Sequence, residues 1–329
     1  MCLPFVHPKF LFMFSIHTQF ENGFDTIILT DKTTGTEAAI VPACGAILHR
    51  FSIHNGSKLQ NVIDNYESID AFTSSVESMG FKGCKLSPFP CRLKNASYRF
   101  NDRNYQIEKF VTNGHALHGI IYDVAFELQA RESNAEYARI VLQHQYTGTD
   151  AGFPFSYQCR VIYQLNKVNQ LSISTIIKNT GNQPMPIADG WHPYFALGGR
   201  VDDWQMQFNC KETLEFDGEL LPTGKRLPYD AYVNLKAIGS INLDNSFVAD
   251  AQMPGPLLTL YNPKNNLQLQ IDADASYPIL QIYIPPHRQS IAIENLSAAP
   301  DAFNNKIGLK ELAPAAETAF SCSYQLCIR

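Results

Sequence analysis

Three histidines and one glutamate of this chain have side chains suited to proton transfer. His115 and His118 lie between glycines in the stretch NGHALHG, and His192 lies among aromatic residues in GWHPYFAL. Glu294 follows Ile-Ala-Ile in SIAIENL, where an unpaired carboxylate would be costly to bury. Because histidine titrates near neutral pH and a carboxylate accepts protons, acid–base chemistry on a bound molecule is one interpretation. The structural alternatives are that the histidines only support their loops and that Glu294 forms a salt bridge at the rim of the fold.

Two other charged residues, Arg92 in FPCRLKN and Asp244 in NLDNSFV, stand in similar surroundings and carry no meaning by themselves. A zinc site is a further interpretation, because the following residues are of types that bind zinc: His115, His118, His192 and Glu294. They lack the regular spacing of a known zinc motif. We therefore predict no metal and no cofactor.

Several classes of protein are excluded by what the chain lacks. It has no glycine-rich nucleotide loop, no HExxH and no GxSxG. Its net charge is −5 and its lysines and arginines do not cluster, so a nucleic-acid partner is not expected. None of its 8 cysteines forms a CxxC pair, and we expect them to be reduced and mostly buried in a cytoplasmic protein. No segment reads as a transmembrane helix.

The elements that must position these residues are mostly strands. YQCRVIYQL and LSISTIIKN alternate apolar and polar residues, and ARIVLQHQYTG and QSIAIENL resemble them. LLTLYNPKNNLQLQI predicts a hairpin whose turn is Asn262 to Asn266. Only Glu67 to Val76 favours a short helix. Charged residues make up 17 % of the chain, below the usual quarter, and turn signals recur about every ten residues. The pattern predicts an all-β sandwich or barrel.

The domain organisation is predicted to be simple. No low-complexity linker or internal repeat divides the chain, so residues 13–329 are expected to form a single domain. Residues 1–12 are apolar but contain two prolines and no charged n-region. We interpret them as a disordered or non-native extension, with Met13 as the alternative start. A degenerate signal peptide is the weaker alternative.

Six motifs in order resemble the aldose 1-epimerase family, which is also called the galactose mutarotase family. They are PCRLKNASYRFNDRNYQI, NGHALHG, GWHPYFAL, LPTGK, LDNSF and IAIENLSAAPDAFN, and they cover the chain from about Ala39 to Asn304. The resemblance implies an all-β fold, the large antiparallel β-sandwich known as the galactose mutarotase-like supersandwich, with few short helices. Two departures from the family pattern are Cys91, where many members have Asn, and the preceding SPFP. Both leave the preferred sugar open.

The resemblance implies an isomerase that interconverts the α and β anomers of a free aldohexose without a cofactor. Glu294 would be the base and His192 the acid, provided that a neighbouring carboxylate raises the pKa of His192. His118 would hydrogen-bond near the ring oxygen, and Arg92 and Asp244 would hold sugar hydroxyls. Trp191, Tyr194 and Phe195 are candidates for presenting a ring face to the sugar, and His115 is a weaker candidate for binding.

Two rival functions remain open on the same fold. A hexose-6-phosphate epimerase would need a basic clamp, for which Arg92 and the following lysines are candidates: Lys82, Lys85 and Lys94. A sugar-binding protein without turnover is the second rival, although it would not need an acid–base pair. For each function the expected partner is a monosaccharide rather than a membrane or nucleic acid, and the expected state is a monomer or weak homodimer.

Overall fold

The computed structural model describes residues 13–250 and 252–329, so the interpretation of residues 1–12 falls outside the described residues. The first part of the chain forms short and medium strands. They are β1 (Phe14–Glu21), β2 (Phe24–Asp31), β3 (Thr36–Val41), β4 (Ile47–Asn55), β5 (Lys58–Asn61), β6 (Lys85–Leu86), β7 (Arg92–Leu93), β8 (Ser97–Phe100), β9 (Arg103–Gln106), β10 (Val111–Thr112), β11 (His115–Leu117), β12 (Glu127–Ser133) and β13 (Tyr137–Tyr146).

The remaining strands include the longest ones. They are β14 (Tyr157–Asn166), β15 (Gln170–Asn179), β16 (Met185–Ile187), β17 (Gly190–Trp191), β18 (Tyr194–Phe195), β19 (Gln205–Phe208), β20 (Cys210–Phe216), β21 (Pro222–Pro228), β22 (Lys236–Ala237), β23 (Asp244–Ala249), β24 (Leu258–Asn262), β25 (Leu267–Ala273), β26 (Ile279–Tyr283), β27 (Ile291–Leu296), β28 (Lys310–Leu312) and β29 (Glu317–Ile328). The described part of the chain also contains two α-helices, α1 (Ile69–Ser75) and α2 (Ala302–Asn305).

Two large antiparallel sheets build the sandwich. One has nine strands in the order β12-β13-β14-β15-β29-β25-β24-β19-β22, and the other has eight in the order β21-β20-β23-β26-β27-β17-β6 with β18 beside β27. Side chains of the two sheets meet in the core, where the ring of Tyr163 contacts Trp191 and that of Phe195 contacts Tyr324. A five-stranded sheet, β1 to β5, adds its buried face to the same apolar cluster. The predicted all-β sandwich is confirmed.

The strand predictions are confirmed, because the alternation of apolar and polar residues in the sequence corresponds to one buried face of each strand. Buried and half-buried residues alternate through all of β14 and β15. Strands β24 and β25 pair as the predicted hairpin, with Asn262 opposite Leu267. The predicted helix is α1, and its cap is Ser68, whose side chain accepts a hydrogen bond from the backbone N–H of Ala71.

Strand β27 lies between β26 and the short strands β17 and β18. All six of its residues are buried, with Ile291 and Ile293 in one apolar cluster and Leu296 in another. His192 and Pro193 interrupt the neighbouring strand between β17 and β18, as expected for a proline that lacks a ladder donor. This interruption brings the histidine segment beside the glutamate of β27.

The cysteines of the described residues are all free, and six of these seven are buried. This agrees with the expectation of reduced, buried thiols. Within the described ranges, none of the helices is both long and apolar enough to cross a bilayer.

Candidate active site

A pocket of about 230 Å³ opens where β27 meets the histidine-bearing segments. It is smaller than the roughly 300–1,000 Å³ typical of drug-sized ligands, which suits a small polar molecule. Its lining is formed by Glu77, Gly80, Phe81, Cys91, Arg92, Leu117, His118, His192, Tyr194, Asp244, Gln281, Tyr283 and Glu294. Six residues predicted from the sequence therefore lie in one pocket, namely Arg92, His118, His192, Tyr194, Asp244 and Glu294.

Glu294 and His192 face each other within this pocket. The Nε2 atom of His192 lies 3.5 Å from Oε1 of Glu294, and the Glu294 side chain is only 2 % exposed. The backbone of His192 is fixed on both sides, since its N–H donates to Cys84 and its carbonyl accepts from Gly83. The imidazole also stacks on the ring of Tyr194, at a centroid distance of 5.0 Å. The two groups are thus held by backbone pairing and by packing.

His118 approaches the same pair from a tight turn. Its φ is +62° and its N–H donates to the carbonyl of Cys91. Its ring lies 4.8 Å from the ring of His192, edge to face, and 4.8 Å from that of Phe81. Gly119 follows with a φ of +78°, and a Cβ there would stand 2.2 Å from the carbonyl oxygen of Ser87. This glycine lets the chain pass close enough to place His118.

Asp244 is held by a row of polar side chains on adjacent strands. Gln281 donates from Nε2 to Oδ1 of Asp244 at 2.8 Å, and Ser246 donates to Oε1 of Gln281 at 2.5 Å. Gln281 is also directly opposite Glu294 in the ladder between β26 and β27. Arg92 is the one cation among the pocket-lining residues. The pocket thus combines oriented acceptors with a guanidinium donor, an arrangement that suits hydroxyl groups.

Burial dominates the electrostatics of the acid–base pair. Desolvation raises the pKa of Glu294 well above its usual range, and Asp244 raises it further. Desolvation lowers the pKa of His192 to about 4, and that of His118 falls well below normal for the same reason. The expectation that a nearby carboxylate raises the pKa of His192 is therefore wrong, because burial of the imidazole sets the direction of the shift. In the free protein the pair favours a neutral imidazole and a protonated carboxyl group.

Three atoms at this site have no hydrogen-bond partner among the described residues. They are Nδ1 of His118, Nδ1 of His192 and Oε2 of Glu294, and all three are buried. Buried polar atoms are normally paired, so exceptions call for an explanation such as a functional role. Their concentration around one pocket is the pattern expected of a binding site for a polar ligand.

Three residues predicted to contact a ligand, Trp191, Phe195 and His115, lie outside the pocket lining. The Trp191 ring packs against Tyr163, and Nζ of Lys85 lies 4.4 Å from its centroid. His115 accepts a hydrogen bond at Nδ1 from the backbone of Asn95, which matches a role in loop support. Of the three aromatic candidates, Tyr194 lines the pocket, whereas Trp191 and Phe195 pack in the core.

The lysines proposed for a phosphate clamp are not in the lining either. Lys82 pairs with Asp64 at 2.7 Å, and Lys85 is fully buried against Asp189. Lys94 is exposed and does not line the pocket. The grouping of zinc-binding residue types also differs from the one considered from the sequence. The ligand atoms that lie together belong to Cys91, His118 and Glu294, and His115 is not among them.

Sequence reasoning missed part of the lining. Gln281 and Tyr283 lie on β26, and Glu77 and Phe81 follow α1. Gln281 did carry a signal, because it is a single polar residue in the apolar run ILQIY. A buried polar residue is more informative than a buried apolar one. The positions of Glu77 and Phe81 carried no comparable pattern.

The chain matches known proteins over most of its length. The family model described as aldose 1-epimerase matches residues 26–325. The uncharacterised protein YihR of Escherichia coli (strain K12) is 26 % identical over 237 residues, 69 % of this chain and 73 % of that protein. A maltose epimerase of Levilactobacillus brevis is 21 % identical over 272 residues, 75 % of this chain and 76 % of that protein.

The fold is also found among solved structures. A galactose mutarotase-like protein of Clostridium acetobutylicum superposes with a TM-score of 0.84 at 18 % identity, over 96 % of this chain and 99 % of that one. At this identity the likeness concerns the fold alone.

Proposed function

The chain belongs to the aldose 1-epimerase family, and we propose that it interconverts the α and β anomers of a free aldohexose by acid–base ring opening. One observation carries the proposal: His192 and Glu294 face each other at 3.5 Å in a pocket of monosaccharide size lined by polar groups. The reaction needs one base, one acid and no redox group, and this pair supplies both.

Glu294 takes the proton from the anomeric hydroxyl while His192 delivers a proton to the ring oxygen. The bond between that oxygen and the anomeric carbon breaks, and the product is an open-chain aldehyde. After rotation about the adjacent carbon–carbon bond, the ring closes on the other face and both protons return. Positioned acid–base groups of this kind contribute about 10²–10⁴-fold to a rate.

The pair must carry one proton, and substrate binding decides where it lies. Burial favours the neutral form in the free protein. A sugar hydroxyl that donates to Glu294 and a ring oxygen that accepts from His192 both favour the charged form. We propose that the bound sugar moves the proton from the carboxyl group to the imidazole. His118 hydrogen-bonds near the ring oxygen, and Arg92 and Asp244 orient the other hydroxyls.

A free sugar fits the pocket better than a phosphorylated one. A phosphate is normally held by several donors or cations, and Arg92 is the one cation of the described lining. A sugar-binding protein without turnover is disfavoured by the buried carboxyl–imidazole pair, which costs stability and which simple binding does not require.

Polarimetry of freshly dissolved α-D-glucose and α-D-galactose tests the proposal directly. We expect the protein to accelerate the approach to equilibrium rotation with at least one of them. Glu294→Gln should lower kcat by about 10² or more, and His192→Ala should lower kcat far more than it changes KM. Glu317→Gln, an exposed carboxylate on β29, is the matched control and should leave the rate unchanged.

Three outcomes would redirect the proposal. Acceleration of maltose alone would move the substrate class to disaccharides. Acceleration of hexose 6-phosphates alone would favour the phosphate rival despite the single cation. If sugars bind in calorimetry but none is accelerated, the non-catalytic rival is correct.

A further inference from the structure

Three side chains of the pocket have ligand atoms of the kinds that bind zinc. The Sγ atom of Cys91, a ring nitrogen of His118 and a carboxylate oxygen of Glu294 all lie within 4.8 Å of one another. All three residues are buried, and each lines the pocket. Glu294 Oε2 and His118 Nδ1 have no hydrogen-bond partner among the described residues. A cluster of thiol, imidazole and carboxyl groups with unpaired buried atoms is chemically suited to a metal ion.

The backbone at Cys91 adds an independent observation. Its φ is +52°, in the left-handed region that favours glycine and asparagine. A cysteine there costs strain and gains no backbone advantage, and strain of this kind clusters at functional sites. The carbonyl of Cys91 accepts from the N–H of His118, so the two side chains leave neighbouring, mutually fixed segments. The strained conformation directs the thiol to the pocket.

We propose that Cys91, His118 and Glu294 form a binding site for a thiophilic divalent cation, for which Zn²⁺ is the fitting ion. Zinc binds thiolate at about 2.3 Å and imidazole or carboxylate at about 2.0–2.2 Å, which places tetrahedral ligands roughly 3.5 Å apart. Because the three ligand atoms lie within 4.8 Å of one another, the distances between them must shorten by at most roughly 1.3 Å when the ion binds. Three protein ligands leave a fourth position open toward the pocket.

Occupation of this site inhibits the proposed epimerase. The metal would engage Glu294, the proposed base, and His118, so it would compete with the sugar. This consequence rests on the proposed function, whereas metal binding does not. The two are tested separately: titration without sugar measures the site, and polarimetry measures the inhibition.

Calorimetric titration of the full chain with Zn²⁺ tests the site. We expect one ion per chain and a Kd at least roughly 100-fold weaker in Cys91→Asn. Removing a residue that only hydrogen-bonds to a metal ligand already lowers metal affinity about 10–100-fold, and Cys91 is itself a proposed ligand. Asparagine suits the left-handed backbone, and thermal unfolding checks that the variant is folded. The matched control is Cys327→Ser, which removes a half-buried thiol outside the pocket and should keep the wild-type Kd.

Cobalt(II) and a second variant complete the test. The cobalt complex of the wild type should show a thiolate-to-metal charge-transfer band that Cys91→Asn lacks, and His118→Gln should weaken binding independently. Equal Zn²⁺ affinity in wild type and Cys91→Asn, or a cobalt complex without that band, would overturn the proposal. If the protein accelerates no sugar but the titration shows the Cys91-dependent ion, the proposed function fails and the metal site stands.

Discussion

Replacing Lys85 by methionine would leave the carboxylate of Asp189 without a cation inside the sandwich. Both side chains are 0 % exposed, and Nζ of Lys85 lies 2.5 Å from Oδ2 of Asp189. The ammonium also donates to the carbonyl of Gly190 and lies over the Trp191 ring, while Tyr277 donates to the carboxylate. Removing one partner of a buried pair costs about 3–5 kcal/mol because the other charge stays desolvated. We therefore expect Lys85→Met to lower the free energy of unfolding by that amount.

The pH dependence of this loss has a definite sign. Desolvation raises the pKa of Asp189 above its usual 3.8, and Lys85 opposes the rise. Without Lys85 the pKa rises further, so the native variant binds a proton that the unfolded chain releases above pH 4. A group with a raised native pKa stabilises the fold below its unfolded pKa and loses this effect as pH rises through the native one. The deficit of Lys85→Met should therefore be larger at pH 8 than at pH 5.

Urea unfolding at both pH values measures the effect, with two matched comparisons. Lys85→Met/Asp189→Asn removes both charges, keeps an acceptor for Tyr277 and should recover most of the loss. Lys167→Met removes the cation of an exposed pair with Glu136, whose atoms lie 2.7 Å apart, and should cost less than about 1 kcal/mol. A Lys85→Met deficit that matches the Lys167→Met deficit, or that is the same at both pH values, would refute the reasoning.

Three further outcomes are expected. Gly119→Ala should cost more than about 2 kcal/mol in urea unfolding, because its Cβ would stand 2.2 Å from a backbone oxygen, whereas Gly114→Ala, which has open space at a similar φ, should cost about 1 kcal/mol. The polarimetric kcat/KM should fall below pH about 4, because His192 is then protonated while Glu294 still carries its proton, and the pair holds two protons. It should fall again above the raised pKa of Glu294, because the pair then holds no proton. Gln281→Leu should raise KM about tenfold, because Asp244 loses a hydrogen bond worth about 1.4 kcal/mol, and change kcat less than threefold.

The strands could be predicted from the sequence because the local pattern of apolar and polar residues agreed with the burial found in the fold. Alternation in β14 and β15 matched one buried face, and the asparagine-rich turn fixed the hairpin of β24 and β25. The predicted pocket residues come from two sheets that meet at the pocket. Asp244, Glu294 and the His192 segment belong to the eight-stranded sheet, whereas Arg92 and His118 belong to the sheet of β10, β11 and β7 or directly follow it. Lys85 shows the limit of this reasoning. The sequence made it a candidate for a phosphate clamp, and only the pairing of β6 with β17 places it against Asp189 in the core.

The protonation states of His192 and Glu294 show why other properties of the site could not be predicted without the structure. The sequence shows that a histidine and a glutamate are present, and proximity alone would raise the pKa of His192. The structure adds the opposing cost, since the same packing that stacks Tyr194 on His192 and covers Glu294 also removes water from both groups. Burial wins in the free protein, so a bound sugar has to supply the hydrogen bonds that make the charged pair favourable. The acid–base pair therefore becomes active only when the pocket is filled. The pH dependence of kcat/KM, which reflects the free protein, should accordingly differ from that of kcat, which reflects the protein with bound sugar.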